Sequence, residues 1–204
     1  MVIRAALFLL CLAIASPAFA FAKGWPSIRP KILTRESWGA APAREELLKT
    51  HTLFGIVVHH TDTQQNFNKS LESKLRSLQS FSQRPGVLDG SKKRKPAWGD
   101  VPYHYYIDVE GRIGEGRALK FKGDSNTGYD TTGFIQIAVE GRFEKEKPTA
   151  EQLSALQNLV AWLVWSHGIS PEKISSHNDH ASTDCPGKNL KPFVEDLRRR
   201  LQHQ

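Results

Sequence analysis

The sequence is poor in cysteine, with only Cys11 and Cys185 among its 204 residues. No disulfide framework is available to hold the chain together, and a domain of this length buries roughly 70% of its unfolded surface without one. The sequence also lacks an internal repeat, a low-complexity tract and any apolar run of the ~20 residues that a membrane-spanning helix requires. With 39% apolar and 24% charged residues, the composition excludes a disordered, collagenous or multi-span membrane protein and points to one ordinary folded domain. Acidic residues are in deficit, 21 Asp and Glu against 28 Lys and Arg.

The first 22 residues differ from the rest. Arg4 is their sole charge, residues 5–15 are apolar, and Pro17-Ala18-Phe19-Ala20 puts small residues at the A-x-A positions of a cleavage site. Residues 1–22 are therefore expected to be a secretory signal peptide cut after Ala20 or Ala22, and the protein is expected to be exported, either periplasmic or secreted, with no stable membrane insertion after cleavage. Leu10 before Cys11 disfavours a lipoprotein signal. Cleavage removes Arg4 and Cys11, leaving 27 basic and 21 acidic residues, a net charge of +6. The remaining Cys185 has no internal partner, so it is an inert buried thiol, an intermolecular bridge or a metal ligand. The basic excess gathers in Lys92-Lys93-Arg94-Lys95 and Arg198-Arg199-Arg200, both read as solvated surface. Outside the cytoplasm a positive charge suits anionic envelope polymers, and no nucleic acid partner is expected.

Residues 23–31 read as a leader and residues 32–204 as the domain proper. Residues 53–59 are a short apolar run between polar flanks, a buried strand with His59-His60 at its C-terminal end. Leu71, Leu75, Leu78 and Phe81 recur with the spacing of one helix face, and Asn68 or Ser70 stands ready as the cap. Residues 84–100 carry Gly and Pro without periodicity and predict a long loop at the rim of a site. Residues 103–109 read as a strand, Glu110-Gly111 as a turn, and the chain from Arg112 as the returning arm. Residues 134–139 read as another strand. Thr149 and Gln152 form a capping box for a helix with the stripe Leu153, Leu156, Val160 and Val164, ended by Gly168. Residues 192–201 read as a final helix. A hairpin combined with longer crossovers predicts an α/β domain with a central mixed β-sheet flanked by helices.

Three polar clusters fall in or beside the predicted loops: His59-His60, Tyr103-His104, and the stretch from His177-Asn178-Asp179-His180 to Thr183-Asp184-Cys185-Pro186-Gly187. Zinc accepts imidazole and thiolate, and a catalytic zinc site keeps three protein ligands and one open position, so a His, His, Cys set suffices. Successive strand residues point to opposite faces, so only one of His59 and His60 joins such a site, and spacing does not say which. His180 competes with His177 on spacing alone.

Val57-Val58-His59-His60-Thr61, Trp98-Gly99-Asp100-Val101-Pro102-Tyr103-His104, the stretch from Ile107 to Gly116-Arg117 and the stretch from His177 to Gly187 occur in this order. The ordered set resembles the zinc-dependent N-acetylmuramoyl-L-alanine amidase family, which includes T7 lysozyme-type amidases and peptidoglycan recognition proteins, over residues 32–197. The resemblance implies Zn2+ held by His59, His177 and Cys185, with His60 turned to the opposite side. It implies Tyr103 as the residue that orients the attacking water or binds the oxyanion. It implies Thr183, at a position where relatives carry lysine or threonine, as a second hydrogen-bonder, and Asp179 as a supporting acid.

The implied activity is hydrolysis of the amide between N-acetylmuramic acid and the L-alanine of the stem peptide, with peptidoglycan or its muropeptide fragments as substrate. The chain departs from the pattern at three places. Ala138 stands where some relatives have a catalytic glutamate, Gln136 where they usually have glycine, and Ser125-Asn126 where many have histidine. The alternative implied by the recognition branch is a peptidoglycan-binding module without turnover. A structural zinc closed by His180 or Asp184 is a third reading, ranked last.

Overall fold

The computed structural model describes residues 28–87 and 93–203. The expected signal peptide and the first residues of the leader lie outside this range. Strand β1 (Ile32–Leu33) opens the fold, and β2 (Gly55–His60) is buried at every residue. Helix α1 (Leu71–Ser82) follows, then a two-stranded ribbon of β3 (Gly86–Val87) and β4 (Arg94–Lys95). Strands β5 (Tyr105–Ile107), β6 (Ile113–Glu115) and β7 (Phe134–Val139) precede helix α2 (Ala150–His167), strand β8 (Ile174–Ser176) and helix α3 (Lys191–Gln202).

Six strands form one mixed sheet in the order β1-β6-β5-β7-β2-β8. β2 runs parallel to both β7 and β8, with His59 opposite Ala138 and Val58 opposite Ser176. A strand enclosed on both edges and both faces reads as a continuous apolar run, which is why Ile56-Val57-Val58 carries no polar alternation. The β5–β6 hairpin is antiparallel, and β5 joins β7 in parallel with Tyr106 opposite Ala138.

Helices cover both faces. Ile56, Val58, Ile135, Ile137 and Val139 meet Leu156, Leu159, Val160, Leu163 and Val164 of α2 and Val194 and Leu197 of α3. On the other face Leu71 and Leu75 of α1 pack with Trp38, Val101, Tyr106 and Ala138. Helices α1 and α2 start at side-chain caps, Ser70 accepting from Ser73 N–H and Thr149 forming a complete capping box with Gln152. Gly168 closes α2 at φ +62°, a left-handed conformation that glycine adopts without a Cβ clash.

Three sequence expectations need correction, the first being that residues 84–100, expected as a long loop, hold the β3–β4 ribbon. Strand β2 begins at Gly55 and includes His60, so both histidines lie in extended backbone. The basic run of residues 92–95 is not wholly solvated: Lys95 is 2% exposed. Its Nζ donates to the carbonyls of Ser82 (2.9 Å), Arg84 (2.7 Å) and Pro96 (2.8 Å) and lies over the Phe81 and Trp98 rings. The ammonium thus satisfies carbonyls at the C-terminal end of α1, where a cation also complements the helix dipole. Among the described residues no helix is long and apolar enough to cross a membrane.

Candidate metal centre

The pleat of β2 separates its two histidines. His60 turns toward α2, where the Phe143 N–H donates to its Nδ1 at 3.3 Å. His59 turns to the α1 face at the C-terminal end of the parallel strands, the region where open α/β sheets place their ligand crevices. β8 pairs beside β2, so the residue that follows it, His177, arrives next to His59 with ring centroids 4.6 Å apart. His177 opens a short 3-10 turn held at its start by Asp179, whose carboxylate accepts from the Ser176 N–H at 2.8 Å.

The chain then folds back, the Asn178 N–H donating to the Cys185 carbonyl at 2.9 Å. The His60 N–H points at Cys185 Sγ from 3.3 Å. Gly187, at φ +93°, brings the loop so close to the Phe143 backbone that a Cβ would stand 2.4 Å from its carbonyl carbon. Only glycine fits there.

The ligand-type atoms of His59, His177 and Cys185 all lie within 4.8 Å of one another, and all three residues are buried. His59 Nδ1 is 3.7 Å from Cys185 Sγ. Zinc bonds of ~2.3 Å to sulfur and ~2.0–2.1 Å to nitrogen at a tetrahedral angle put those atoms about 3.6 Å apart, so the pair fits such an ion. Each imidazole is engaged through its Nε2: His59 by Gln136 Oε1 (2.5 Å) and His177 by Thr127 Oγ1 (2.7 Å). The Thr127 hydroxyl in turn meets Ser125 Oγ at 2.7 Å.

Burial sets the charge state of the cluster. Desolvation, reinforced by neighbouring imidazoles, holds His59 well below the usual histidine range and His177 at about 4. Desolvation pushes the Cys185 thiol up to about 12, against the lowering effect of the His60 N–H, and nearby Asp62 adds to the rise. Neutral imidazoles and a protonated thiol make a poor nucleophile pair, because a reactive cysteine needs a stabilised thiolate. The same set suits a cation that supplies the missing positive charge, and its N,N,S character suits zinc.

The other candidates occupy distinct places. The Tyr103 ring sits 5.3 Å from that of His59, and burial, then Cys185, pushes its phenol above the usual range, so it remains a donor. Thr183 Oγ1 accepts from the Cys185 N–H at 3.3 Å, leaving its own O–H free to donate elsewhere. His180 is drawn off by Ser175 Oγ at 2.8 Å and by the rings of Tyr129 and Phe134, and it is not in the metal cluster. Asp179 caps its own turn and pairs with Lys191 at 3.1 Å. Ala138 faces His59 across the β2–β7 ladder and brings no carboxylate. Thr127 and Tyr129 join the site from a glycine-bounded loop that carries no periodic signal in the sequence.

The sequence profile described as N-acetylmuramoyl-L-alanine amidase matches residues 49–188. Peptidoglycan-recognition protein LE of Drosophila melanogaster is 30% identical over 167 residues, covering 80% of this chain and 45% of its own. The chain thus spans less than half the length of that relative. Among solved structures, Drosophila peptidoglycan recognition protein SD superposes with a TM-score of 0.69 at 26% identity, covering 82% of this chain and 94% of that one. An endolysin N-acetylmuramoyl-L-alanine amidase from Clostridium intestinale superposes with a TM-score of 0.63 at 26% identity, covering 86% and 98%.

Proposed function

The chain belongs to the N-acetylmuramoyl-L-alanine amidase family, whose members here include peptidoglycan recognition proteins as well as amidases, and from that premise we propose that it is a zinc-dependent amidase acting on peptidoglycan or its fragments. The bond cut is the amide between the lactyl group of N-acetylmuramic acid and the L-alanine of the stem peptide. The observation that supports this reading is the convergence of His59, His177 and Cys185 at the end of the parallel strands.

When bound, zinc acidifies a water molecule and polarises the scissile carbonyl. The protein supplies the rest. Tyr103 and Thr183 are assigned as donors to the carbonyl oxygen as it gains negative charge, a role whose loss typically costs about 10²–10³ in rate. Cys185 acts as a ligand, so no acyl-enzyme forms. The expected export of the chain would bring it to this polymer directly.

A second reading, a binding module without turnover, is favoured by one observation: Ala138 places no carboxylate opposite His59. Hydrolysis and equilibrium binding of a muropeptide, measured side by side on the wild type and Cys185→Ser, separate the two. The amidase loses turnover in the variant and keeps its affinity. Equal turnover in both proteins contradicts the zinc mechanism, and binding without turnover in the wild type supports the module.

A further inference from the structure

Gln136 is a polar residue in the middle of an otherwise apolar strand, Phe134-Ile135-Gln136-Ile137-Ala138-Val139, and it is fully buried. Burying an amide costs free energy unless its polar atoms are paired. Gln136 Nε2 has no hydrogen-bond partner among the described residues, so the contacts of Oε1 must offset that cost. Oε1 meets two groups, His59 Nε2 at 2.5 Å and the Tyr129 O–H, which donates to it at 2.8 Å.

The residue is held in place on every side. Its backbone N–H donates to His104 Nδ1 at 2.8 Å and its carbonyl accepts from the His104 N–H at 2.9 Å. Its side chain runs over Gly123, where a Cβ would stand 2.6 Å from Gln136 Cγ. The glycine leaves the space that the glutamine fills.

A carbonyl oxygen only accepts hydrogen bonds, so the contact with Oε1 requires the proton of neutral His59 to sit on Nε2. The lone pair is then on Nδ1, the atom that faces Cys185 Sγ at 3.7 Å. With the amide turned the other way, its NH2 would press on Nε2 and force the proton onto Nδ1, closing that atom to a metal. Resting on the zinc reading above, the geometry points to Gln136, supported by Tyr129, as the positioning residue of the metal centre: it fixes the ring orientation and tautomer of His59 and thereby sets metal affinity. An acceptor on the far nitrogen of a ligand histidine acts in this way in metal sites generally.

The test is the affinity of the apoprotein for Zn2+, by competition with a chromophoric chelator, together with the sulfur-to-metal absorption of the Co2+ form. Gln136→Met keeps the length and removes the acceptor; it is expected to weaken zinc binding by roughly 10–100-fold. Gln136→Glu keeps an acceptor and is expected to retain wild-type affinity within a few-fold. Tyr129→Phe removes one donor to Oε1 and is expected to weaken binding less than Gln136→Met. If Gln136→Met does not fold as an apoprotein, Tyr129→Phe and Gln136→Glu carry the test.

Wild-type affinity in both Gln136→Met and Tyr129→Phe overturns the positioning role while leaving the zinc site intact. Absence of zinc binding by the wild type, or undiminished binding and Co2+ absorption in Cys185→Ser, overturns the zinc reading itself and this inference with it.

Discussion

His59 Nδ1 and Cys185 Sγ lie 3.7 Å apart although 126 positions separate them along the chain. One residue sits on β2, next to the edge strand of the sheet, and the other on a loop after the last strand, so an ion that bonds both ties the loop to the sheet. Ligation is then also stabilisation, because the unfolded chain has no such site. At free zinc 1,000 times its Kd the unfolding free energy is expected to rise by about 4 kcal/mol. Thermal melts with and without zinc should show this rise in the wild type and its loss in Cys185→Ser; an equal rise in both places the ion elsewhere.

Zinc uptake should release one proton from the three protein ligands. The imidazoles are already neutral at neutral pH, since His177 titrates at about 4 and His59 is held well down, whereas the thiol, pushed up to about 12, must ionise to ligate. Calorimetry in buffers of different ionisation enthalpy should give one proton per zinc at about pH 6, and a further proton above about pH 7 from the water that the zinc acidifies. Release of two or more protons at pH 6 would mean that the histidines are charged before the metal binds.

The buried neutral histidines should make the apoprotein acid-sensitive. Burial holds His104 at about 3 and His177 at about 4, both below the ordinary 6.5. Between those values the unfolded chain takes up protons that the folded chain refuses, so stability is fully present above pH 6.5 and falls as pH drops toward 3. Urea unfolding across this range should show the decline, and His177→Gln should make it shallower. A flat profile from pH 7 to pH 4 contradicts the assignment.

Lys74 and Glu140 form a buried ion pair at 2.8 Å, and Glu140 also accepts from the Asn66 N–H at 3.1 Å. Lys74→Met should cost about 3–5 kcal/mol by leaving the carboxylate buried without its partner. The double variant Lys74→Met, Glu140→Gln should recover much of that loss in urea unfolding, because the uncompensated charge is gone. Additive losses would show that the pair contributes through packing.

Much of this fold was legible where the signal was local. The capping box of Thr149 and Gln152, the stop at Gly168 and the apolar run of β7 all depend on neighbours within a few positions. β8, only Ile174-Ser175-Ser176, carries no periodicity, and its role comes from pairing with β2 more than a hundred positions away. The burial of Lys95 is invisible in the sequence for the same reason, since the carbonyls and rings around its ammonium are assembled by tertiary contacts. At the site, the polar clusters named the residues that meet, whereas Thr127 and Tyr129 became visible only through the side chains they touch. Gln136 stood out in sequence as a departure, and its geometry supplies a reason.

The proposed activity is hydrolysis of one amide by a chain that needs a metal to do it. The direct measurement is incubation of the purified protein, without its first 22 residues, with muropeptides, before and after removal of zinc by a chelator and again after zinc is restored, with products read by mass spectrometry. Free stem peptide beginning with L-alanine is expected whenever zinc is present, and none when it is absent. Intact muropeptide in the presence of the zinc-loaded, folded protein, or the same products after the metal is removed, would contradict it.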